Sequence, residues 1–554
     1  MVIIIVRRCE ISAKKNKGLT VDRAKEIVDR DARPQTQIAV LAAIAVLCLI
    51  TYANSLHGTF QFDDMRTIRF NFWLRELSNW KTILLSERFR PLLAATFALN
   101  YHIGKQDPFF YHVGNLFLHF TSVALFYLFL SRRSAGIVAA LAAALMAVHP
   151  FNTEAVSYIS SRSILLCSTF YFLALLFFDS YVQTKRRIYA AAFWSAFMVA
   201  AFTREEAAVI PVTAILYHWL FFGGDSVKKH RMFHLASILI VFAGASFRII
   251  LGLKYNSQFP YPLGVWIPTE AAVFLRYLGL AIYPAHLNVD PDIPSIGFAS
   301  ASFWISIAIG SAILWLLWKV RTKHPALTFW GLWFYLNLLP SSALPLLDFM
   351  AEHRAYLSLF GFCGCIVYSV LGFRKTASKP AIAALSVLII LSMVATIQRN
   401  RAWSNEFTLW YDSVQKSPHK IRPHLNLAAA YIQKAAYDPA IQEYILARDL
   451  NSALPHAYSG LGIFYLRKGD IANAEWNFRK ALEIYPDLVD AKTGLGVVLY
   501  RKGNYEEALS YFTQVFAQRQ ESVQLMQMMI DSFQRTGRVR EAEEMQMRLE
   551  RMRR

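Results

Sequence analysis

Apolar runs alternate with short polar loops from Ile38 to about residue 398, and a different rhythm takes over after Arg399. Eleven runs stand out, near 38–56, 109–131, 135–149, 162–182, 188–203, 205–222, 233–253, 300–320, 325–340, 355–373 and 379–398. A helix needs roughly 20 apolar residues to cross a bilayer, or about 17 with helpful flanks. The pattern therefore predicts an all-α, polytopic membrane domain of about eleven spans over 38–398.

The loops orient it. Arg132-Arg133, Lys185-Arg186-Arg187, Lys228-Lys229-His230-Arg231, Arg321-Thr-Lys323 and Arg374-Lys375 fall in alternate loops. Basic loops face the cytoplasm, so the N-terminus is expected inside, with residues 1–37 as a cytoplasmic segment. The run at 270–285 carries Arg276 and ends at Pro284. It is read as a re-entrant or interfacial helix, because non-spanning backbone at membrane depth must be buried against protein. An odd span count then puts the C-terminal region outside. Met1–Val6 is too short an apolar stretch for a cleavable signal.

Two further patterns refine this. Trp73, Leu77, Trp80 and Leu84 sit at helical spacing within 72–85, with Arg75, Glu76 and Lys81 on other faces. That predicts a helix lying flat in the outer interface, part of an outer loop over 57–90. After Arg399 a 34-residue period appears. Leu461-Gly462, Tyr465, Gly469, Ala474, Phe478, Ala481 and Pro486 match the tetratricopeptide (TPR) pattern. Matching positions recur at Leu495-Gly496, Gly503, Ala508 and Phe512, at Tyr431, Ala440, Tyr444 and Ala447, and in a degenerate unit at Gly537 and Ala542. Residues 399–554 are thus expected to form an extracytoplasmic TPR α-solenoid, with 403–418 as a lone joining helix.

Composition supports the membrane assignment: 55% of the 554 residues are hydrophobic and 14% aromatic, high for a soluble protein. The net charge of +20 does not point to nucleic acid, since the cations lie in loops between apolar runs. The five cysteines form neither a disulfide framework nor a metal spacing.

Chemistry is concentrated in the outer loops. Asp63-Asp64 follows the first span, and paired acids at a membrane face are functional candidates. One carboxylate can accept a hydroxyl proton while the other orients it or a sugar; the alternative is a simple marker of exit into water. His149-Pro150 to Arg162 places Glu154, Tyr158 and Arg162 four residues apart, on one face of a short helix. They are read as a polar wall with Arg162 on phosphate, or else as a Glu–Arg surface pair behind an Asn152 cap. Thr203-Arg204-Glu205-Glu206 is another outer turn, with Glu205 a further wall candidate or simply a polar turn. Glu352-His353-Arg354-Ala-Tyr356 opens a later run: His353 and Arg354 suit an anionic leaving group, and Glu352 and Tyr356 suit the wall. The alternative there is snorkelling, or a salt bridge to Glu352. Arg90 is a weaker phosphate candidate. Scattered Asp63, Asp64, His149 and His353 lack a short ligand spacing, so no metal site is expected. No phosphate-cradling loop is present.

Asn54-Ser-Leu to Asp63-Asp64, Arg90-Pro-Leu to Asn100-Tyr101, Tyr111-His-Val-Gly-Asn115 to His119, His149-Pro to Arg162 and Ala351-Glu-His-Arg-Ala-Tyr-Leu357 together resemble one family. The chain is similar over nearly its whole length to the transmembrane-and-tetratricopeptide-repeat glycosyltransferases, particularly bacterial members, and these are similar to protein O-mannosyltransferases of the GT-C fold. Ser358 in place of a Pro, Thr203-Arg-Glu-Glu in place of Ser-Lys-Glu, and a short 254–268 loop are departures. The resemblance implies a polyprenyl- or dolichyl-phosphate sugar donor, mannose-type favoured, and catalysis by Asp63 and Asp64 on the non-cytoplasmic face. It implies no required cofactor, a Ser/Thr acceptor on a protein or peptide held by the TPR repeats, and a bacterial inner membrane with the repeats in the periplasm, or an endoplasmic reticulum membrane with them in the lumen. Two other readings compete: a non-catalytic membrane scaffold whose repeats recruit an envelope or lumenal assembly, and an oligosaccharide transferase with a lipid-diphosphate donor, for which a divalent metal is more plausible.

Overall fold

The computed structural model describes residues 34–86, 90–254, 261–343, 347–372, 378–518 and 523–553, and the regular structure among them is entirely helical. The expected cytoplasmic segment lies, up to residue 33, outside the described residues. The chain divides into units at 1–405 and 406–554. The boundary falls later than the expected 398/399 because the last long helix runs to Asn400 and buried Trp403 packs into the first unit, stacked on Tyr158.

The first unit's main helices are α1 (Pro34–Tyr52), α2 (Pro91–Gly104), α3 (Pro108–Leu130), α4 (Gly136–Val148), α5 (Thr153–Ser157), α6 (Arg162–Thr184), α7 (Arg187–Ala201), α8 (Ile210–Phe222), α9 (Arg231–Lys254), α10 (Leu263–Ile282), α11 (Ala301–Val320), α12 (Pro325–Ala343), α13 (Tyr356–Leu371) and α14 (Lys379–Asn400). A helix stands at each of the eleven expected places. By length and hydropathy, however, only seven described helices can cross a bilayer, or eight if α4 and the bent 150–157 segment count as one. Two of the expected places hold helices too short to cross: α8 has 13 residues and α7 has 15, about 20 Å at a rise of 1.5 Å per residue.

One of the seven is α10, read from sequence as an interfacial piece at 270–285. It is a continuous 20-residue helix, long and apolar enough to cross a bilayer rather than a short interfacial piece, and it is anchored at three points. Trp266 donates to the Ser342 carbonyl at 3.0 Å, Tyr277 to the Ala351 carbonyl at 2.9 Å, and His149 bonds the Ala281 carbonyl at 3.0 Å. Ser342 is in the last turn of α12, and His149 and Ala351 lie in connections between helices.

The two ends of the bundle differ in chemistry. At one, buried Asp179 accepts from Arg132 (2.5 Å), Arg133 (2.6 Å), Tyr217 (2.7 Å) and Gln183 (2.7 Å), so two basic-loop cations neutralise an acid held out of water. At the other, Asn400 joins the ends of α1 and α14: its Nδ2 donates to the Thr51 carbonyl and Asn54 Oδ1, and its Oδ1 accepts from Ser157, each at 3.0 Å. The candidate chemistry lies at this second end.

The predicted amphipathic helix over 72–85 is instead two 3₁₀ turns, Phe72–Arg75 and Leu77–Asn79, and a short helix, Trp80–Ser86. Glu76 is extended (φ −129°, ψ 120°) and breaks the run. The segment is amphipathic all the same: Leu74 and Ile83 are buried while Trp73, Leu77, Trp80 and Leu84 face outward.

In the second unit, a lone helix Glu406–Lys416 precedes four helix pairs, Ile421–Gln433 with Tyr437–Leu450, Pro455–Lys468 with Ile471–Ile484, Val489–Arg501 with Tyr505–Gln518, and Val523–Arg535 with Val539–Arg553. Ala440, Ala474, Ala508 and Ala542 recur every 34 residues and are all buried, which lets paired helices approach closely. The turn within the last three pairs carries Gly469 (φ 85°), Gly503 (φ 84°) and Gly537 (φ 75°). The first pair has Ala435 there, at φ 56°. A left-handed conformation costs an L-residue about 1–2 kcal/mol that glycine escapes. Ala435→Gly is therefore expected to stabilise the TPR unit by roughly 1 kcal/mol, after glycine's greater freedom in the unfolded chain is subtracted. A rise in its thermal midpoint in the full chain is the check.

Candidate functional site

The site grows from the turn after α1. Gln61 is buried and donates its side-chain amide to the Trp403 carbonyl, which anchors the turn. Phe62 then adopts φ 50°, an uncommon left-handed conformation for a bulky residue. Backbone strain of this kind gathers at functional sites. Its consequence is to separate the two acids. Asp63 is exposed, and its carboxylate makes no hydrogen bond or ion pair among the described residues. Its backbone N–H donates to the Tyr158 hydroxyl at 3.1 Å.

Asp64 turns inward and is only 1% exposed. Its Oδ2 accepts from the Gln61 N–H at 3.1 Å, and its Oδ1 from the Ser160 N–H at 2.8 Å and the Ser160 hydroxyl at 2.5 Å. Burial pushes its pKa up to about 7, while the hydrogen bonds from Ser160 and Gln61 pull the other way. Thr67 bonds the Ser160 hydroxyl at 3.1 Å and closes the turn.

The 149–162 stretch does not form one helical face. Tyr158 is extended (φ −86°, ψ 116°) between α5 and a 3₁₀ turn, Ile159–Ser161, so Glu154, Tyr158 and Arg162 point to three different partners. Glu154 is buried and takes His353: Oε1 accepts from Nδ1 at 2.6 Å and Oε2 from the His353 N–H at 3.2 Å. That fixes the imidazole with its Nδ1 proton toward the carboxylate, and its Nε2 has no partner among the described residues. Tyr158 takes Asp63. Arg162 turns away from both. The Asn152 side chain donates to the Met146 carbonyl at 2.6 Å and caps nothing.

Arg162 is the main correction. It is 1% exposed. Its Nε donates to Asn115 Oδ1 at 2.7 Å, Nη1 to Asn100 Oδ1 at 2.5 Å and the Thr96 carbonyl at 3.4 Å, and Nη2 to the Tyr111 carbonyl at 2.8 Å. The Phe97 ring lies 4.6 Å and the Tyr111 ring 5.8 Å from its guanidinium carbon. With its donors engaged and rings against it, this guanidinium has no open edge for a phosphate and is a structural staple. A Cβ at position 114 would stand 3.1 Å from Arg162 Nη2, so Gly114 gives the staple its room.

Other expected wall residues also have structural work. Tyr356 is in the core, its hydroxyl 2.7 Å from His119 Nδ1, and does not face the site. Glu352 is buried and accepts from the Asn288 backbone N–H. Glu205 lies 3.7 Å from Arg90 and 3.8 Å from Arg204, which draws Arg90 into an ion pair. Arg354 keeps more capacity: its Nη1 donates to the Asp348 carbonyl at 2.9 Å and the Phe349 carbonyl at 3.5 Å, leaving Nε and Nη2 without partners among the described residues.

The structure thus brings Asp63, Asp64, Tyr158, Glu154, His353 and Arg354 to one end of the bundle. Ser160 and Gln61 were not singled out from sequence; only their nearness to Arg162 and Asp64 could have signalled them. Asn115 explains why a distant motif accompanies the site. Its Nδ2 lies 3.2–3.4 Å from the Val156, Tyr158 and Ile159 carbonyls, holding the very loop that carries Tyr158 and Ser160.

Fold and site together define a helical membrane protein with a polar, acid-bearing site at one end of its bundle and a TPR array. The tetratricopeptide repeat model matches residues 453–521. Over most of its length the chain is related to proteins named protein O-mannosyl-transferases. It is 23% identical to TMTC3 of Mus musculus over 82% of this chain and 55% of that protein. It is 23% identical to Tmtc3 of Drosophila melanogaster over 86% of this chain and 62% of that protein, and 24% identical to TMTC3 of Homo sapiens over 82% and 55%. The chain therefore spans little more than half the length of these relatives.

Proposed function

We propose that this protein is an inverting glycosyltransferase that moves a mannose-type sugar from a polyprenyl-phosphate lipid to a Ser or Thr hydroxyl of a protein, on the non-cytoplasmic face. The observation that carries the reading is one short segment with two reaches. Tyr158 holds the exposed Asp63, and Glu154, four residues earlier, holds His353 beside Arg354. This supports a reading in which Asp63 is the base and His353 and Arg354 bind the anion.

In the reaction, Asp63 accepts the acceptor's hydroxyl proton. The oxygen forms a bond to the anomeric carbon as the bond to the donor's phosphate oxygen breaks, through an oxocarbenium-like transition state. The electron pair leaves with the polyprenyl phosphate. His353 Nε2 and the unpaired edge of Arg354 stabilise that departing anion. Further along α13, Phe362 and Cys365 line an apolar cleft of about 120 Å³ with Leu278, Leu317, Trp330 and Phe334, room for a short stretch of the donor's hydrocarbon chain. The grouping of basic loops at the opposite end supports a non-cytoplasmic site, and the TPR unit would hold the acceptor polypeptide. The names of the relatives support the same chemistry.

The test is transfer of labelled mannose from polyprenyl-phosphate mannose to Ser/Thr peptides by the purified full chain. No transfer from any polyprenyl-phosphate hexose would defeat the reading. Its pH dependence is specific. An ionised Asp64 places a second negative charge beside the base, where positive charge develops on the sugar. Activity should rise through about pH 7 as Asp64 ionises. Ser160→Ala removes a hydrogen bond that favours the carboxylate, so Asp64 should titrate higher and the acid limb should shift to higher pH. An unmoved limb would separate Asp64 from the rate.

A further inference from the structure

We propose that the segment 66–81 is a docking surface for anionic lipid headgroups, and that its seating on the leaflet sets the turn that carries Asp63 and Asp64. The activity half of this proposal rests on the glycosyltransferase reading; the docking half does not.

The segment is tied down through one face and open on the other. Ile68, Leu74 and Ile83 are buried in a small cluster with Leu93, Phe97 and Tyr111. Outward stand Phe70 (60% exposed), Trp73 (53%), Leu77 (46%) and Trp80 (57%). Four large apolar side chains on so short a stretch are costly in water and belong at a membrane boundary, where tryptophan is favoured.

Charge selects the lipid. Arg66, Arg69, Arg75 and Lys81 are all exposed, with Glu76 the only acid between them. None of the four cations forms an ion pair among the described residues. Instead Arg75 lies over the Phe72 ring at 3.9 Å and Lys81 over the Trp80 ring at 5.6 Å. Cations interleaved with inserted aromatics complement a negatively charged leaflet.

The link to the site is covalent and short. Arg66 and Arg69 belong to the same turn as the acids: the Asp63 carbonyl accepts from the Arg66 N–H at 3.1 Å, the Thr67 N–H at 2.9 Å and the Thr67 hydroxyl at 2.9 Å, and the Phe70 N–H donates to the Met65 carbonyl at 2.9 Å. Holding Arg66 and Arg69 on headgroups therefore holds the backbone from which Asp63 projects.

The experiment places an environment-sensitive label at Leu77→Cys in the full chain, reconstituted in phosphatidylcholine vesicles with or without phosphatidylglycerol. Unlabelled-site background is read from the parent chain. Brominated lipid should quench the label, several-fold more in the anionic vesicles. Neutralising Arg66, Arg69, Arg75 and Lys81 together to Gln should remove that difference. Mannose transfer should rise with anionic lipid in the parent and stay flat in the neutralised chain. Quenching by aqueous iodide with none by brominated lipid, or equal bromolipid quenching in both vesicle types, overturns the docking surface. Lipid-dependent quenching with transfer activity that ignores lipid charge overturns the coupling. Lipid-dependent quenching with no transfer under any condition leaves the surface standing and defeats the glycosyltransferase reading instead.

Discussion

Replacing Asp63 with Asn should lower mannosyl transfer by about 10²–10⁴-fold, the usual worth of a positioned general base, while leaving thermal stability nearly unchanged. The carboxylate is exposed and unpaired among the described residues, so removing its charge strands no partner. The backbone contacts of Asp63 to Tyr158 and Thr67 survive the substitution. Asp64→Asn behaves differently. An amide presents one acceptor and one donor group where the site offers three donors, from Gln61, the Ser160 backbone and the Ser160 hydroxyl. A buried mismatch costs about 1–3 kcal/mol, so this variant should lose stability as well as rate. Melting curves measured beside initial rates separate the two. Full activity in the Asp63 variant would remove it from the reaction.

That difference between neighbouring acids marks what a linear reading reaches. The pair itself is visible in the sequence because acids stand out beside an apolar run. Their division of labour depends on Phe62 at φ 50° and on Ser160, 96 residues on, and nothing in the local spacing encodes either. The TPR array is legible for the opposite reason: each repeat packs on its neighbour, so the 34-residue period of Ala440, Ala474, Ala508 and Ala542 is a local signal. The 72–85 stretch lies between these cases. Its spacing picks out an apolar set, Trp73, Leu77, Trp80 and Leu84, that does face outward, yet the regular helix implied by that spacing is interrupted at Glu76. Helical spacing also misled at Glu154, Tyr158 and Arg162, because each has a tertiary partner strong enough to override the local period.

Arg162→Met should destabilise the membrane unit by about 3–5 kcal/mol, the order expected when a buried, hydrogen-bonded charge is removed from its partners. Methionine fills much of the volume between Phe97 and Tyr111, so the loss is polar in origin. Asn115 Oδ1, Asn100 Oδ1 and the Tyr111 carbonyl would lose their donor, the first and last of them in a buried setting. Asn115 also holds the loop bearing Tyr158 and Ser160, so disorder should spread to both acids. Lysine should rescue little, since a point-like ammonium cannot reproduce a planar fork of donors. A phosphate ligand and a structural staple predict different outcomes here. A ligand's loss raises the KM for polyprenyl-phosphate mannose in a protein that melts normally. The staple's loss lowers the melting temperature and the folded yield, and the surviving folded fraction keeps its KM. Measuring both in detergent, at matched concentrations of folded protein, decides between them, and the closed hydrogen-bonding shell of Arg162 favours the second.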